Sequence, residues 1–156
     1  MVKADIIKSR FRSRSEHTLD PKGRLNVPSR FREVMRHYGS GILMVTPWFG
    51  ECLRAYPVSE WQIFEEKLLA SREDHHIGSI VRNIVSGVIE CSLDKQGRLL
   101  LPVSLRGEVG IDKEVVLSGM LEFVEIWDKK AWQAEYDRTL ENPEQYRSSL
   151  ANLGIY

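Results

Sequence analysis

The sequence predicts an α+β fold made of two tandem modules with flanking helices, and three observations support this prediction. A 14-residue segment that begins at Leu19 returns at Leu93, with seven identical positions at an offset of 74. A second stretch after each copy also matches, because Leu53–Tyr56 parallels Val124–Trp127 at an offset of 71. A chain of 156 residues forms at most two small domains, so two modules account for it.

The repeat divides the chain into five segments. Two copies make a pseudo-symmetric pair of modules, since a solenoid needs at least three repeats. The two offsets differ because the second copy has a shorter central loop, and loops tolerate changes of length. The segments are a basic N-terminal extension (1–13), module 1 (14–61), a helical linker (62–87), module 2 (88–131) and a helical tail (132–156).

A tight turn lies at the centre of each copy. In Asp20–Gly23, aspartate stands first, proline second and glycine fourth, which is typical of a type I turn. Asp94 and Gly97 hold the same positions in the second copy, without the proline. Glycine adopts the left-handed conformation freely, and alternating apolar residues flank both turns. The sequence therefore predicts a β-hairpin around each turn.

A short helix and two more strands are predicted after each turn. Pro28 and Pro102 end the preceding strands, and Gly39 and Gly110 stand where a helix ends in the left-handed conformation. The predicted helices are Ser29–His37 and Val103–Val109, and the predicted strands are Ile42–Thr46, Cys52–Tyr56, Glu114–Leu117 and Phe123–Trp127.

The linker is predicted to contain two helices. Ser59, with Gln62 three residues later, matches a capping box, and Trp61 begins an apolar stripe at helical spacing. A second amphipathic stripe runs through Ile77–Val85, and Gly87 is expected to end it.

The tail is predicted to begin with a helix capped by Asp128 and stopped at Pro143, with a further short helix after it. Trp132, Tyr136 and Leu140 follow one another at intervals of four residues along its first helix. We interpret such aromatic stripes as core or subunit interface rather than as platforms for stacking nucleobases.

Several classes of protein are disfavoured by composition and motifs. Apolar residues make up 42% of the chain, but no apolar run approaches the roughly 20 residues that span a bilayer. Cys52 and Cys91 are interpreted as reduced, buried thiols, and adjacent His75 and His76 would point about 100° apart on a helix. Since no phosphate-binding loop, nucleophile elbow or zinc-protease motif occurs, we predict no enzyme, no metal site and no cofactor.

The charge is distributed unevenly along the chain. The 22 basic and 22 acidic side chains cancel overall. Residues 1–36, however, hold ten basic and four acidic side chains, a net charge of +6, which leaves −6 on the other 120 residues. This asymmetry indicates that the N-terminal end faces a polyanion. The alternative interpretation, a solvated basic face without a partner, is left open.

The arginine that directly follows each turn has two interpretations. Arg24 and Arg98 stand where they could reach phosphates or base edges. They could equally pair with Asp20 and Asp94 across their own turns, and the two interpretations are compatible.

The doubled D-x-x-G-R-hydrophobic-x-hydrophobic-P pattern, with a tryptophan-containing helix after each copy, resembles the MraZ family. Phe11 and Arg12 are also similar to the aromatic-basic opening of that family. The resemblance implies two SpoVT-AbrB-like modules that pack as a swapped-hairpin, double-split β-barrel. It further implies a cytoplasmic, nucleoid-associated ring of eight or more subunits, with no membrane partner. Such rings bind G-rich direct repeats in double-stranded DNA and usually repress their own operon, the division and cell-wall gene cluster.

The resemblance carries over the signature residues and the basic residues around the first hairpin. The signature residues are Asp20, Arg24, Asp94 and Arg98, Gly23 and Gly97 complete the motif turns, and the DNA-binding candidates are Arg12, Arg14, Lys22, Arg24, Arg30 and Arg98. We expect Arg24 to read guanine O6 and N7. Arg14, Lys22 and Arg30 would contact phosphates.

Copy one is expected to dominate DNA contact, because the second copy is less basic, and copy two is expected mainly to build the barrel and ring. One alternative is a ring whose basic face binds RNA or protein. The other is an antitoxin, which the second module and the apparently ordered tail disfavour.

Overall fold

The protein, seen in a computed structural model, is described for residues 9–156. Residues 1–8 of the predicted basic extension, with their charges, lie outside the described residues. The strands are β1 (Arg14–Thr18), β2 (Arg24–Asn26), β3 (Ile42–Trp48), β4 (Cys52–Pro57), β5 (Ile89–Ser92), β6 (Arg98–Leu100), β7 (Glu114–Gly119) and β8 (Val124–Asp128). The helices are α1 (Ser29–His37), α2 (Val58–Ala70), α3 (Ile77–Asn83), α4 (Val103–Glu108), α5 (Lys129–Glu141) and α6 (Glu144–Asn152), with a 3-10 turn at Val85–Gly87.

The strands form two antiparallel sheets, and both sheets combine strands from the two repeats. The larger sheet has six strands in the order β1-β7-β8-β4-β3-β5. The smaller is a ribbon of two strands, β2 and β6. The prediction of an α+β fold is therefore confirmed, and the two repeats share their sheets instead of forming one each.

The prediction of a β-hairpin around the first turn is wrong. The turn itself forms, but β1 pairs with β7 of the second repeat and β2 pairs with β6. Around the second turn only a single bridge, between Leu93 and Leu99, joins the two flanking strands. Turn chemistry reverses the chain locally, whereas strand pairing is decided by long-range packing that the turn residues do not encode.

The helices after the turns begin and end close to the predicted residues. Gly39 and Gly110 adopt φ values of +79° and +69° just after α1 and α4. Ser40 N donates to Met35 O and Ile111 N donates to Arg106 O, which closes the end of each helix in a Schellman motif. The glycine stops predicted from the sequence are confirmed.

The main core lies between the ribbon, α1, α4 and one face of the larger sheet. Leu25 and Leu99 from the ribbon are each 1% exposed, as are Phe31 of α1 and Leu105 of α4. The ring of Phe11 meets that of Phe31 edge-on, with centroids 5.6 Å apart. The residues equivalent in the two repeats thus fill one common core.

The linker differs from its prediction in two respects. Helix α2 begins at Val58 with Pro57 at its N-cap, so Ser59 lies inside the first turn and no side chain caps the helix. Pro57 has the extended backbone angles φ −55° and ψ 149°, so β4 continues to this residue and α2 begins directly after it. Helix α3 ends at Asn83, before the predicted Gly87, and the 3-10 turn completes the segment.

The tail agrees with its prediction more closely. The Asp128 carboxylate accepts a hydrogen bond from Lys130 N and caps α5, and α6 follows Pro143. Tyr136 and Leu140 are exposed on α5, so this stripe is not part of the core. No helix within residues 9–156 is both long and apolar enough to cross a membrane.

A charged pair lies where the two repeats meet in the sheet. Arg54 of β4 stands directly opposite Glu125 of β8, and these residues occupy equivalent positions at the offset of 71. Their Nε and Oε2 atoms are 3.7 Å apart. The guanidinium lies 3.6 Å from the ring centroid of Trp48 and 4.5 Å from that of Phe123. Divergence of one position has thus placed opposite charges face to face between the repeats.

Candidate nucleic-acid interface

The first turn is held by the carboxylate of Asp20. Its Oδ1 accepts hydrogen bonds from Lys22 N and Arg24 N, each 2.9 Å long, and Gly23 adopts a φ of +85°. The Arg24 Nε donates to Oδ2 at 2.6 Å. The bond from the Arg24 backbone N–H, followed by that from its side chain, lowers the pKa of the Asp20 carboxyl from its ordinary value. Aspartate and arginine at this spacing therefore build the turn together.

The second turn reproduces this arrangement. The carboxylate of Asp94 accepts from Gln96 N and Arg98 N at 2.9 Å, and Arg98 Nε donates to it at 2.8 Å. Gly97 has a φ of +76°. The pairing of each arginine with its own aspartate is confirmed. The bond uses Nε, and a guanidinium has further donors on its two Nη atoms, so the pair orients the arginine without excluding a ligand.

The ribbon brings the two turns to its opposite ends. Its register places Arg24 opposite Leu100 and Asn26 opposite Arg98, with Leu25 opposite Leu99. Because directly opposed residues of an antiparallel pair share a face, the first four lie on one face and the two buried leucines on the other. The outward face of the ribbon, defined by Arg24, Asn26, Arg98 and Leu100, is the candidate interface.

Each end of the ribbon is composed of both repeats. Leu101 N donates to Gly23 O at the first turn, and Val27 N donates to Gly97 O at the second. We call the first of these end A and the second end B. End A joins the first turn to the start of α4, and end B joins the second turn to the start of α1.

A crossed pair of arginines secures the two ends. Arg106 of α4 donates from Nε to Leu101 O, and its guanidinium covers Gly23, where an added Cβ would lie 2.7 Å from Nη2. Arg32 of α1 donates from Nε to Val27 O and covers Gly97, where an added Cβ would lie 3.0 Å from its Cδ and 3.2 Å from its Nε. No local sequence pattern indicated a role for these two arginines. The available signal was their identity at the last position of the repeated segment.

The remaining DNA-binding candidates lie at the N-terminal side of module 1. Arg12 and Arg30 line one surface depression of about 190 Å³ together with Arg10. Arg30 also donates to Arg14 O, which ties the first turn of α1 to the start of β1. Lys22 is exposed in the first turn. Arg12, Arg14 and Arg30 are therefore neighbours, while Lys22 stands with Arg24.

Arg14 has a contact that the sequence did not indicate. Its guanidinium lies over the stacked rings of Trp132 and Tyr136 of α5, 4.8 and 5.0 Å from their centroids. This cation–π packing places a cation on the ring faces that a nucleobase would need.

The histidine pair lies in a loop. His75 and His76 stand between α2 and α3 with ring centroids 3.9 Å apart. Together with Asp74 they are the one group among residues 9–156 whose spacing could hold a metal ion, and all three are exposed. Both cysteines are buried free thiols, as predicted, and burial raises the pKa of Cys91 to about 11.

The fold and the candidate interface define a class of α+β protein. Its two sequence repeats contribute strands to shared sheets, and one ribbon carries two equivalent turns of aspartate, glycine and arginine. A family model described as "MraZ protein, putative antitoxin-like" matches residues 11–82 and 84–149. The chain belongs to the MraZ family, which confirms the resemblance stated above.

Curated relatives span nearly the whole chain. The transcriptional regulator MraZ of Desulforapulum autotrophicum is 40% identical over 147 residues, which are 93% of this chain and 99% of the relative. The protein of the same name from Desulfitobacterium hafniense strain Y51 is 45% identical over 143 residues, 89% and 95% of the two chains. A third, from Syntrophobacter fumaroxidans, is 37% identical over 146 residues, 93% and 97% of the two chains.

Proposed function

We propose that this protein is a sequence-specific, DNA-binding transcriptional regulator that inserts its ribbon into the major groove. The observation that carries the proposal is the outward face of the ribbon. Two arginines on this face are oriented by aspartates, and the side chains of Arg24 and Arg98 are each 28% exposed. A two-stranded antiparallel ribbon is one of the two protein elements that the major groove admits. The names of the relatives, all transcriptional regulators, support the same function.

The chemistry of the paired arginines suits guanine. A guanidinium presents two parallel donors that match guanine O6 and N7, and a bidentate contact is worth about 1–3 kcal/mol of discrimination. The Asp20–Arg24 and Asp94–Arg98 bonds reduce the rotamer freedom that each arginine would otherwise lose on binding. Lys22, Arg12, Arg14 and Arg30 then contact phosphates, which position the ribbon.

Self-association makes the overall neutral charge compatible with DNA binding. In a ring, the basic ends of the subunits gather on one side, and tandem sites on one duplex multiply a modest affinity per subunit. Uncovered apolar side chains support self-association: Leu69 and Val81 line a groove of about 550 Å³ between α2 and α3, and Leu150 and Leu153 are exposed at the tail. The proposed assembly is a homo-oligomeric ring of eight or more subunits.

The remaining finer features are proposed on the strength of the family resemblance. The interleaving of strands from both repeats supports an AbrB-like double-split barrel as the fold type, with modules at 14–61 and 88–131. The proposed target is a set of G-rich direct repeats in the promoter of the protein's own operon, within the division and cell-wall gene cluster. Binding at this promoter represses transcription, and the proposed location of the protein is the cytoplasm, in association with the nucleoid.

The test is fluorescence anisotropy with two labelled duplexes, one carrying G-rich direct repeats and one with the same bases scrambled, at two salt concentrations. We expect tight binding to the repeats with a clear salt slope. Arg24→Ala and Arg98→Ala remove the preference for the repeats. Arg138→Ala is the matched control, because this exposed arginine of α5 pairs only locally with Glu135 in the described part of the chain.

Two results contradict the proposal. Equal affinity for both duplexes indicates a generic basic surface, and comparable binding to RNA favours the alternative of a ring that binds RNA or protein. Wild-type affinity of Arg24→Ala at every salt concentration excludes that residue as a base contact. Lys22→Ala separates positioning from readout, since a lost phosphate contact lowers the salt slope by about one on both duplexes.

A further inference from the structure

The outward face of the ribbon departs from the symmetry of the repeat at one pair of positions. Arg24 and Arg98 are equivalent at the offset of 74, but Asn26 in the first repeat corresponds to Leu100 in the second. Because the strands are antiparallel, Leu100 stands beside Arg24 at end A and Asn26 stands beside Arg98 at end B. The two ends therefore carry the same arginine next to different neighbours.

A second position repeats this difference. Ser29 begins α1 at end B, and its equivalent at end A is Val103, which begins α4. Val103 is 74% exposed and Leu100 is 50% exposed, so end A displays two aliphatic side chains to solvent. Asn26 and Ser29 are exposed polar residues at end B. One end of the ribbon is thus apolar beside its arginine and the other is polar.

These neighbours recognise different bases in a major groove. An asparagine amide pairs with adenine N6 and N7, whereas an aliphatic side chain contacts the methyl group of thymine. Neither Asn26 nor Leu100 packs into the core, since their strand neighbours Leu25 and Leu99 point inward and are buried. Their side chains are therefore available to a ligand that meets this face.

We propose that the ribbon reads a DNA site in one direction, with Asn26 and Leu100 as the residues that determine that direction. At end B, Arg98 binds a guanine and Asn26 binds an adenine next to it. At end A, Arg24 binds a guanine and Leu100 contacts a thymine next to it. The inference rests on the proposed function, whose direct repeats already give successive sites one orientation, and adds to it the two residues that set this orientation. A two-fold symmetric reader matches a palindrome. A ribbon with two different ends instead binds a site that lacks this symmetry, so successive subunits on tandem sites face the same way.

The experiment selects preferred sites from a pool of duplexes with a randomised segment of about ten base pairs, followed by anisotropy on single-base-pair substitutions of the selected site. Three variants are compared with the wild type. Leu100→Asn gives both arginines an asparagine neighbour, Asn26→Leu gives both a leucine neighbour, and Ile63→Asn changes an exposed isoleucine of α2, 45% exposed, as the control. Thermal melts verify that each variant is folded.

The expected wild-type site is not palindromic. Leu100→Asn replaces the preference for thymine next to one guanine by a preference for adenine, and the selected site becomes its own reverse complement. Asn26→Leu loses the preference for adenine at the other guanine. Each change alters discrimination at its own base pair by about 5- to 150-fold and leaves the guanines unchanged. Ile63→Asn selects the wild-type site.

Three outcomes overturn the inference, and they are distinguishable from one another. A palindromic wild-type site refutes the assigned direction, and so do variants that keep the wild-type base preferences. In either case, loss of the preference for the repeats in Arg24→Ala still supports the proposed function. A wild-type protein that selects no sequence at all refutes both.

Discussion

Replacement of Gly23 by alanine tests whether the crossed arginine at end A stabilises the fold. Two costs are expected. The left-handed conformation at φ +85° costs an alanine about 1–2 kcal/mol. The added methyl group would also lie 2.7 Å from Arg106 Nη2 and displace the guanidinium.

The second cost can be estimated from the hydrogen bond that the displacement breaks. Arg106 Nε donates to Leu101 O at 3.0 Å. Hydrogen bonds that involve a charged group contribute about 1.5–3 kcal/mol, and the low end applies because the side chain is half-buried and can be rehydrated. Gly23→Ala is therefore expected to lower the free energy of unfolding by about 2.5–3.5 kcal/mol.

Gly39→Ala is the matched control for backbone strain. Gly39 has nearly the same φ, +79°, but nothing lies within 4 Å of an added Cβ, so only the cost of about 1–2 kcal/mol applies. Urea unfolding followed by tryptophan fluorescence measures both values. In a background of Arg106→Ala, Gly23→Ala should cost no more than Gly39→Ala does. Equal costs in the wild-type background would refute the role assigned to Arg106.

Three further predictions concern other charged and titratable groups. Asp20 and Asp94 have lowered pKa values in the folded protein, so the stability that their carboxylates contribute is complete above about pH 4 and is lost as the pH falls through the folded pKa. Replacing both by asparagine should therefore make the free energy of unfolding less dependent on pH in the acid range. Arg54→Glu should lower the free energy of unfolding by about 3 kcal/mol or more, because it places a second carboxylate opposite that of Glu125. Adding Glu125→Arg should recover part of this loss. A double variant whose loss of stability equals the sum of the two single losses contradicts pairing between the repeats. Because the pKa of Cys91 is raised to about 11, iodoacetamide at pH 8 should modify the thiols only after unfolding, and rapid labelling of the native protein would contradict their burial.

Local chemistry made most of the individual elements predictable. Asp20 and Gly23 specify a turn by hydrogen bonding and backbone freedom, and Gly39 specifies the end of α1 by a left-handed φ. The capping box predicted at Ser59 is wrong, because α2 begins at Val58, directly after Pro57 of β4.

The candidate interface was predictable only in part. Arg24 and Arg98, and their pairing with aspartates, follow from the repeated motif. Arg32 and Arg106 were missed because each acts on the turn of the other repeat, which no local pattern shows. The prediction that copy one dominates DNA contact stays a prediction, but each end of the ribbon contains residues from both copies.

The sequence by itself determined the number of repeats, the two turns, the types of the elements and the family, because each depends on residues close together in the chain. Only the tertiary structure decided that the strands exchange between repeats and that Leu100 stands beside Arg24 while Asn26 stands beside Arg98. The physical reason is that strand partners are selected by burial of a shared core, with Leu25 and Leu99 packed against both helices, and this burial depends on contacts between residues about 74 positions apart.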